Sequence, residues 1–354
     1  MSGGTRAPTR VSGHRPGPAT RLGFEGSRAL WALVAVLLLA CVALGLALVL
    51  DDDPPREPSA VQAPAPEPGA RILGFPVPVG DAPSAVAVGP EQAWVLHEGS
   101  GTLTSVDPIR NELAGPQIQV GGRPRYLTIA GGSIWVSNFD ANTITRVSPK
   151  TRSVTARIPV GRSPWGIAPA AASIWVVNHD DDSIQEISTT TGEPVGAPIK
   201  VGQAPVAATF GYNSVWVTNS QDDTVSRVEL RSRAVAETIR VGDDPAGVQA
   251  GARGVWVANV EDDTVSRIDP SKNRVVATIP VGDRPLFLRL TGADLWVPNS
   301  GDGTLSLVDT ARNRVVGAPL QVGRSIERVG VGFGAIWVTN AAEDAITRVE
   351  RAPR

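Results

Sequence analysis

From residue 71 onward the chain alternates short apolar runs with polar turns, and the pattern recurs about every 40 residues. The runs are rich in Val and Ile and are bounded by Gly, Asp, Asn or Pro, which is typical of short β-strands. In the unit of residues 243–282, the predicted strands are residues 247–250, 254–259, 264–269 and 274–281. No helical periodicity interrupts the pattern, so each unit predicts a four-stranded sheet.

Two sequence markers count the units. A Trp-Val pair occurs seven times, and the fourth residue is Asn in six copies and His97 in the first. The seven tryptophans are Trp94, Trp135, Trp175, Trp216, Trp256, Trp296 and Trp337. A Val-Gly-x-x-Pro turn keeps the same spacing, with Ile326 in place of the last proline. Four-stranded repeats of this length are typical of propeller blades, so the sequence predicts an all-β, seven-bladed β-propeller over residues 71–354.

The two ends of this domain complement each other. The last unit ends at Arg354 after its third strand, whereas residues 71–79 form an apolar run with no unit before them. We therefore predict that residues 71–79 supply the outermost strand of the last blade, which removes exposed sheet edges. The repeat tryptophans are expected to fill the gaps between blades.

The segment of residues 29–50 predicts a transmembrane helix. It holds 22 residues without a charge, and as a helix it would be about 33 Å long, enough to cross a bilayer core. Arginines precede it and three aspartates follow it, which predicts a cytoplasmic N-terminus and an extracytoplasmic propeller. Residues 1–28 are expected to be a disordered tail. Residues 51–70 are rich in proline and predict an extended linker.

Two alternatives apply to the N-terminal segment. A cleaved signal peptide is one, although the apolar run is long and no clear cleavage site precedes Asp51. Lipidation at Cys41 is the other, because Leu-Leu-Ala-Cys is similar to a bacterial lipobox, although an apolar stretch would then follow the cysteine. We favour the membrane helix, and all but the cleaved peptide hold the propeller at a membrane.

The Trp-Val-x-Asn tetrad, the Val-Gly-x-x-Pro turn and strands such as Asp-Asp-Thr-Val-Ser-Arg resemble the YVTN-repeat group of bacterial propellers. The resemblance covers about 280 residues and implies a surface, periplasmic or secreted binding module. Virginiamycin B lyases are similar in architecture, and that likeness implies metal-assisted acid and base chemistry near the propeller axis. Only His97 and His179 follow the membrane segment, in separate blades, so we do not transfer that chemistry.

Other chemistry finds little support in the sequence. Acidic side chains outnumber basic ones after residue 28, without a basic block, so nucleic acid is not an expected partner. Hydrolase, Walker, zincin and dinucleotide motifs are absent, and we expect no catalytic residues, metal or cofactor. The carboxylates that recur after the tetrad are interpreted as turn residues rather than metal ligands. They are Asp180, Asp181, Asp182, Asp222, Asp223, Asp262, Asp263, Glu343 and Asp344. The recurring Arg146, Arg227, Arg267 and Arg348 are interpreted as solvated strand positions.

The candidate binding site comes from positions where blades differ. The two residues after the turn proline are small in most units, as a crowded axis requires, but seven side chains there are large or charged. These are Arg125, Tyr126, Trp165, Leu286, Phe287, Glu327 and Arg328. We expect them to converge at the rim of the central channel, where they either form a binding site or plug the channel.

The sequence therefore predicts a membrane-anchored, extracytoplasmic module that binds, senses or scaffolds. Its partner would be an unknown small molecule or a cell-envelope protein. The alternative is a propeller lyase or hydrolase that acts on a small extracellular substrate.

Overall fold

The computed structural model describes residues 67–353. Over this range the chain forms seven antiparallel sheets, and the innermost strand of each contacts that of the next. The innermost strand of the last sheet contacts that of the first, so the ring is closed. The all-β, seven-bladed propeller predicted from the repeats is confirmed. We number the blades 1 to 7 in chain order of their innermost strands, and we letter the strands of each blade a to d from the axis outward.

Blades 1 to 4 occupy the first part of the domain. Blade 1 contains Pro83–Val88, Ala93–His97, Thr102–Asp107 and a divided strand d, Glu112–Leu113 and Ile118–Gln119. Blade 2 contains Pro124–Ala130, Ser133–Asn138, Thr143–Ser148 and Ser153–Pro159. Blade 3 contains Pro164–Ala170, Ser173–Asn178, Ser183–Ser188 and Ile199–Lys200. Blade 4 contains Pro205–Gly211, Ser214–Asn219, Thr224–Glu229 and Ala234–Arg240.

Blades 5 to 7 complete the ring. Blade 5 contains Pro245–Gly251, Gly254–Asn259, Thr264–Asp269 and Arg274–Pro280. Blade 6 contains Arg289–Thr291, Asp294–Asn299, Thr304–Asp309 and a divided strand d, Arg314–Val315 and Leu320–Gln321. Blade 7 contains Ile326–Gly332, Ala335–Asn340, Ala345–Arg351 and a divided strand d, Ala70–Ile72 and Val77–Pro78. Two short 3₁₀ turns, His179–Asp181 and Ala341–Glu343, follow strand b of blades 3 and 7.

The last blade closes as the sequence predicted. Ala70–Ile72 and Val77–Pro78 pair antiparallel with Ala345–Arg351, the third strand of blade 7. Val77 and Val79 are buried in the same apolar cluster as the tryptophan of this blade. The N-terminal segment therefore contributes both backbone pairing and core side chains to the last blade.

The repeat tryptophans lie between blades. Each of the seven apolar clusters contains one of them and joins two neighbouring blades. Trp94 of blade 1, for example, packs with Leu127 and Ile134 of blade 2. None of the seven is more than 3% exposed. The core is therefore a series of apolar layers between blades, as large aromatic side chains favour.

In the six blades that have one, the asparagine of the tetrad packs against the glycine of the Val-Gly turn. Asn219 is fully buried, and its amide nitrogen donates to Thr224 Oγ1 at 3.0 Å and Ser226 Oγ at 2.9 Å. A Cβ atom on Gly202 would lie 2.6 Å from Asn219 Cγ. Only glycine fits this close approach, and the same contact recurs at five other blades.

The recurring carboxylates act in turns. Asp222 accepts from the backbone N–H of Gln203 in its own blade at 2.7 Å, and Asp223 accepts from the N–H of Asp244 in the next blade at 3.2 Å. The same pair of contacts recurs at Asp181 and Asp182, and at Asp262 and Asp263. These side chains thus satisfy backbone donors at the blade junctions.

The recurring arginines are not simply solvated, which corrects the interpretation from sequence. The guanidinium carbon of Arg227 lies 5.1 Å from the ring centre of Trp216 on the paired strand. Its Nη1 donates to Pro270 O at 2.8 Å and Asn273 Oδ1 at 2.7 Å in the next blade. Arg146, Arg267 and Arg348 stack on their own tryptophans in the same way. Because strands b and c place each arginine opposite its tryptophan, cation–π stacking covers the outer face of the ring.

Within residues 67–353 no helix is long and apolar enough to cross a membrane. The predicted span at residues 29–50, the tail of residues 1–28 and most of the linker lie outside the described residues.

Candidate functional site at the mouth of the channel

Five of the seven candidate residues lie at the axial ends of the innermost strands of blades 2, 3 and 7, and Leu286 and Phe287 precede the short innermost strand of blade 6. All seven lie on the propeller face that carries the Val-Gly-x-x-Pro turns. Successive side chains of a strand point in opposite directions, and this alternation separates the candidates into two groups. Tyr126, Phe287 and Arg328 point into the channel, and we call them the channel plug. Arg125 and Trp165 point away from it and contact each other.

The channel plug consists of an arginine between two rings. The guanidinium carbon of Arg328 lies 4.3 Å from the ring centre of Tyr126 and 3.4 Å from that of Phe287. Arg328 Nη2 donates to Arg125 O at 3.2 Å. Burial lowers the pKa of Arg328 to about 10, so its side chain remains charged at neutral pH. The larger side chains of blades 2, 6 and 7 thus fill the mouth of the channel, as one of the two interpretations from sequence expected.

The second group forms a separate surface cluster, which we call the mouth patch: Glu98, Arg125, Phe139, Trp165 and His179. The ring of Trp165 lies 5.5 Å from that of Phe139 and 5.0 Å from that of His179, centre to centre. The guanidinium of Arg125 lies over both Trp165 and Phe139, at 4.9 and 5.4 Å. All five side chains are partly exposed. The patch therefore offers aromatic faces and a charged donor to solvent.

Charges at the mouth patch are balanced. Arg125 Nη1 lies 2.8 Å from Glu98 Oε2, and Arg123 pairs with Glu98 at 3.3 Å and with Asp140 at 3.5 Å. Glu327, another candidate from sequence, lies close to these groups. Burial raises the pKa of the Glu327 carboxyl, and its neighbouring arginines only partly oppose this effect.

Leu286 is half-buried in blade 6, and its backbone N–H donates to Pro298 O at 2.9 Å. The structure thus brings five of the seven candidates into the channel plug and the mouth patch, and it leaves the side chains of Leu286 and Glu327 outside both groups.

The two histidines of the described chain differ in environment. His97 is buried, and burial lowers its pKa. Its Nε2 lies 2.8 Å from Thr104 Oγ1, the place that an asparagine amide takes in other blades. His179 is partly exposed, and its Nδ1 donates to Pro205 O at 3.0 Å. A carbonyl can only accept, so in neutral His179 the proton is on Nδ1 and Nε2 is free to act as a base.

Sequence reasoning missed Glu98, Phe139 and His179. All three occupy the position directly after the tetrad, where the other blades carry Ser220, Val260, Ser300 and Ala341. The comparison between blades that identified Arg125 and Trp165 would have found these residues too, had it been extended to this second turn. Both turns end on the same face because strands a and b are antiparallel neighbours.

In the described range, no group of three or more His, Cys, Asp or Glu side chains is arranged to hold a metal ion. The carboxylates closest to this face take part in the backbone contacts described above.

Comparison with solved structures places the chain among known seven-bladed propellers by fold. A catalytically inactive variant of virginiamycin B lyase from Staphylococcus aureus, with quinupristin, superposes with a TM-score of 0.69 and 18% identity, over 80% of this chain and 99% of that one. A streptogramin B lyase superposes with a TM-score of 0.67 and 17% identity, over 80% of this chain and 97% of that one. Hydrazine synthase from Kuenenia stuttgartiensis superposes with a TM-score of 0.68 and 16% identity, over 79% of this chain and 97% of that one. No family model and no curated protein matches the chain. At these identities the likeness concerns the fold alone.

Proposed function

We propose that this protein is a membrane-anchored, extracytoplasmic β-propeller of the YVTN-repeat type that binds a ligand or partner through its mouth patch. The observation that carries the proposal is the confinement of the patch to one side of the mouth. Blades 1 to 3 place Glu98, Phe139 and His179 after the tetrad, whereas blades 4 to 7 place small or apolar residues there. In blades 2 to 7 the backbone N–H at this position donates to a carbonyl of the Val-Gly turn whatever the side chain is, so the backbone of these turns does not require the larger residues.

The chemistry of the patch favours a ligand with a planar or aromatic group. Trp165 and Phe139 offer ring faces at right angles, and such pairs form a corner in which a third ring can pack. Because Arg125 is already paired with Glu98, the patch as a whole is neutral and selects for shape and stacking rather than for charge.

The patch predicts that Trp165→Ala and Arg125→Ala weaken ligand binding about tenfold or more, since buried Trp and Arg dominate binding energy at interfaces. The test begins with a thermal-shift screen of the full chain in detergent against cell-wall peptides, oligosaccharides, aromatic acids and quinupristin. Affinity for each compound that raises the melting temperature is then measured by calorimetry. Ser300→Ala is the matched control, because Ser300 takes the position of Phe139 and His179 in blade 6. Equal affinity in all variants would contradict the proposed site.

A lyase or hydrolase is the second candidate, and His179 favours it. In the neutral imidazole its Nδ1 contact places the proton on Nδ1, so Nε2 is the nitrogen that can accept a proton as a general base, beside the aromatic patch. Conversion of quinupristin by the full chain, and its loss in His179→Ala with binding retained, would favour catalysis over simple binding. Binding of quinupristin without its conversion would favour a non-enzymatic binding module.

The direction of the closing strand shows on which face the chain enters the propeller. Ala70 pairs with Arg351, and Pro78 pairs with Ala345, next to the turn on the mouth face. The closing strand therefore starts on the face opposite the mouth patch.

Protease added to cells with a permeable outer layer is expected to release a fragment of about propeller size. Exposed proline-rich linkers are where cleavage concentrates, whereas the closed propeller resists it. The fragment is followed by immunoblotting with a tag at the C-terminus, and a tag at the N-terminus should remain protected until the membrane is dissolved. If the protein stays uncleaved in such cells and the propeller fragment is released only after detergent is added, the orientation is reversed.

A further inference from the structure

The central channel carries two arginine side chains at its wall. Below the channel plug, the innermost strands enclose a cavity of about 180 Å³ that Arg328 and Arg289 both line. None of the described residues that line this cavity is an aspartate or a glutamate. The cavity is thus electropositive, although acidic residues outnumber basic ones in the chain as a whole.

Arg328 is a buried cation without an ion pair. It is 6% exposed, and its Nε has no hydrogen-bond partner. Among residues 67–353 no carboxylate oxygen lies within 4.0 Å of the guanidinium of Arg328 or Arg289. The rings of the plug, one carbonyl and the more distant charges of Glu327 and Glu98 compensate only part of the cost of burying this charge. Buried charges in proteins are usually paired, so an unpaired one that faces a cavity indicates a missing counter-ion.

Arg289 supplies a second positive charge farther along the channel. Its side chain is exposed and also lines a continuation of about 320 Å³, together with Tyr126 of the plug, Phe210 and Leu290. Thr128 and Gln249 line both sections and add a hydroxyl and an amide donor. Four donors from four blades therefore surround one space, and this space continues toward the face opposite the mouth patch.

Packing does not require these polar residues. At the level of Arg328, four other blades carry Ala85, Gly166, Ala207 and Gly247. At the level of Arg289, three carry Ala87, Ala168 and Gly330. Small side chains thus fill most of the equivalent positions at the level of Arg328. At the level of Arg289 they fill half of those in the other blades, the rest being Thr128, Thr209 and Gln249. The polar residues of the channel thus depart from the repeat, as the residues of the mouth patch do, but they line the channel and not the patch.

We propose that the central channel binds a small oxyanion, a carboxylate or a phosphate, held by the guanidinium groups of Arg328 and Arg289 with help from Gln249 and Thr128. Guanidinium groups match the geometry of carboxylate and phosphate oxygens. All four donors line the section of about 180 Å³, and this section suits a small anion better than a drug-sized ligand, whose pockets are about 300–1,000 Å³. The site is independent of the mouth patch and of the function proposed for it.

The test measures the binding of inorganic phosphate and of succinate to the full chain in detergent, by calorimetry and by thermal shift at constant ionic strength. We expect at least one anion to bind and to raise the melting temperature, and Arg289→Gln to weaken its binding at least about tenfold, because hydrogen bonds to a charged group are lost. The two anions distinguish a phosphate site from a carboxylate site. Arg328→Gln should do the same, but Arg289→Gln is the main variant because its side chain is exposed and the fold tolerates its change.

Two control variants make the result specific. Arg314→Gln removes the same charge from the outer strand of the same blade, where the side chain is exposed, and anion binding should be unchanged. Trp165→Ala alters the mouth patch and should also leave anion binding unchanged, so the two proposals fail separately. The channel proposal is overturned if neither anion binds, or if Arg289→Gln and Arg314→Gln bind the anion equally, since stabilisation would then be a general salt effect.

Discussion

Removal of residues 71–80 is expected to turn a soluble propeller into an aggregating protein. The deletion takes away the strand that pairs with Ala345–Arg351 and also the buried side chains of Val77 and Val79. The edge of blade 7 would then present unpaired backbone groups and an open apolar cluster, both of which template association. Size-exclusion chromatography with light scattering, together with the soluble fraction on expression, measures the effect.

A deletion of equal length in the linker, residues 54–63, is the matched control. It removes ten residues outside the propeller domain, so the protein should remain soluble and keep its melting temperature. A stable monomer without residues 71–80 would mean that the ring closes without its N-terminal strand. In that case the pairing with the last blade would be an accessory contact rather than the closure.

The fold could be predicted from the sequence because the repeat has hardly any insertions. Seven Trp-Val pairs at a period of about 40 residues fix the number of blades, and the single strand at residues 71–79 fits the blade that lacks one. Turn residues were also predictable, since the side chains of Asp and Asn hydrogen-bond to backbone groups locally. These features depend on neighbours in sequence or on the repeat itself.

The sequence predicted the level of the candidate residues along the channel axis, but it did not predict which way each side chain points. The repeat places Arg125, Tyr126 and Trp165 at one level of the ring, and they were expected to form one cluster. Strand alternation instead sends Tyr126 into the channel with Arg328, while Arg125 stacks on Trp165 in the next blade. Contacts across blade junctions depend on rotamers and on the neighbouring turn. For this reason Phe139, which completes the patch, was missed although its position in the repeat is plain.

The same limit explains the arginines on the outer strands. An arginine that recurs after Val-Ser or Ile-Thr is interpreted as a solvated position, because alternation puts it away from the blade core. In the structure each one has the ring of the repeat tryptophan beside it, as Arg267 has Trp256 at 5.5 Å. Arginine can cover an apolar surface with its stem and still hydrogen-bond at its end. The pairing of strands b and c places each of these arginines opposite a tryptophan, and this register would have indicated the contact.

Two tryptophans of blade 3 are expected to respond in opposite ways to replacement. Trp175 belongs to the repeat, is 1% exposed and packs in the cluster between blades 3 and 4. Trp175→Ala would leave a large cavity there, which costs about 3–5 kcal/mol of the free energy of unfolding. For a domain of this size the melting temperature should fall on the order of 10 °C. Ligand affinity at the mouth patch, measured below the new melting temperature, should change little.

Trp165→Ala should instead spare the fold and impair binding. Its side chain is partly exposed and rests on Phe139, His179 and Arg125 at the surface rather than in one of the apolar clusters between blades. Other blades carry Ser84, Val206 or Ala246 at this position, so the backbone does not need a large residue, and the loss of stacking should cost about 1 kcal/mol.

Denaturant unfolding and ligand affinity, measured for both variants under the same conditions, separate the two roles because each variant changes one quantity and not the other. If Trp165→Ala lowers the free energy of unfolding as much as Trp175→Ala does, Trp165 is a structural residue of the mouth, and the binding site must be sought elsewhere on the propeller.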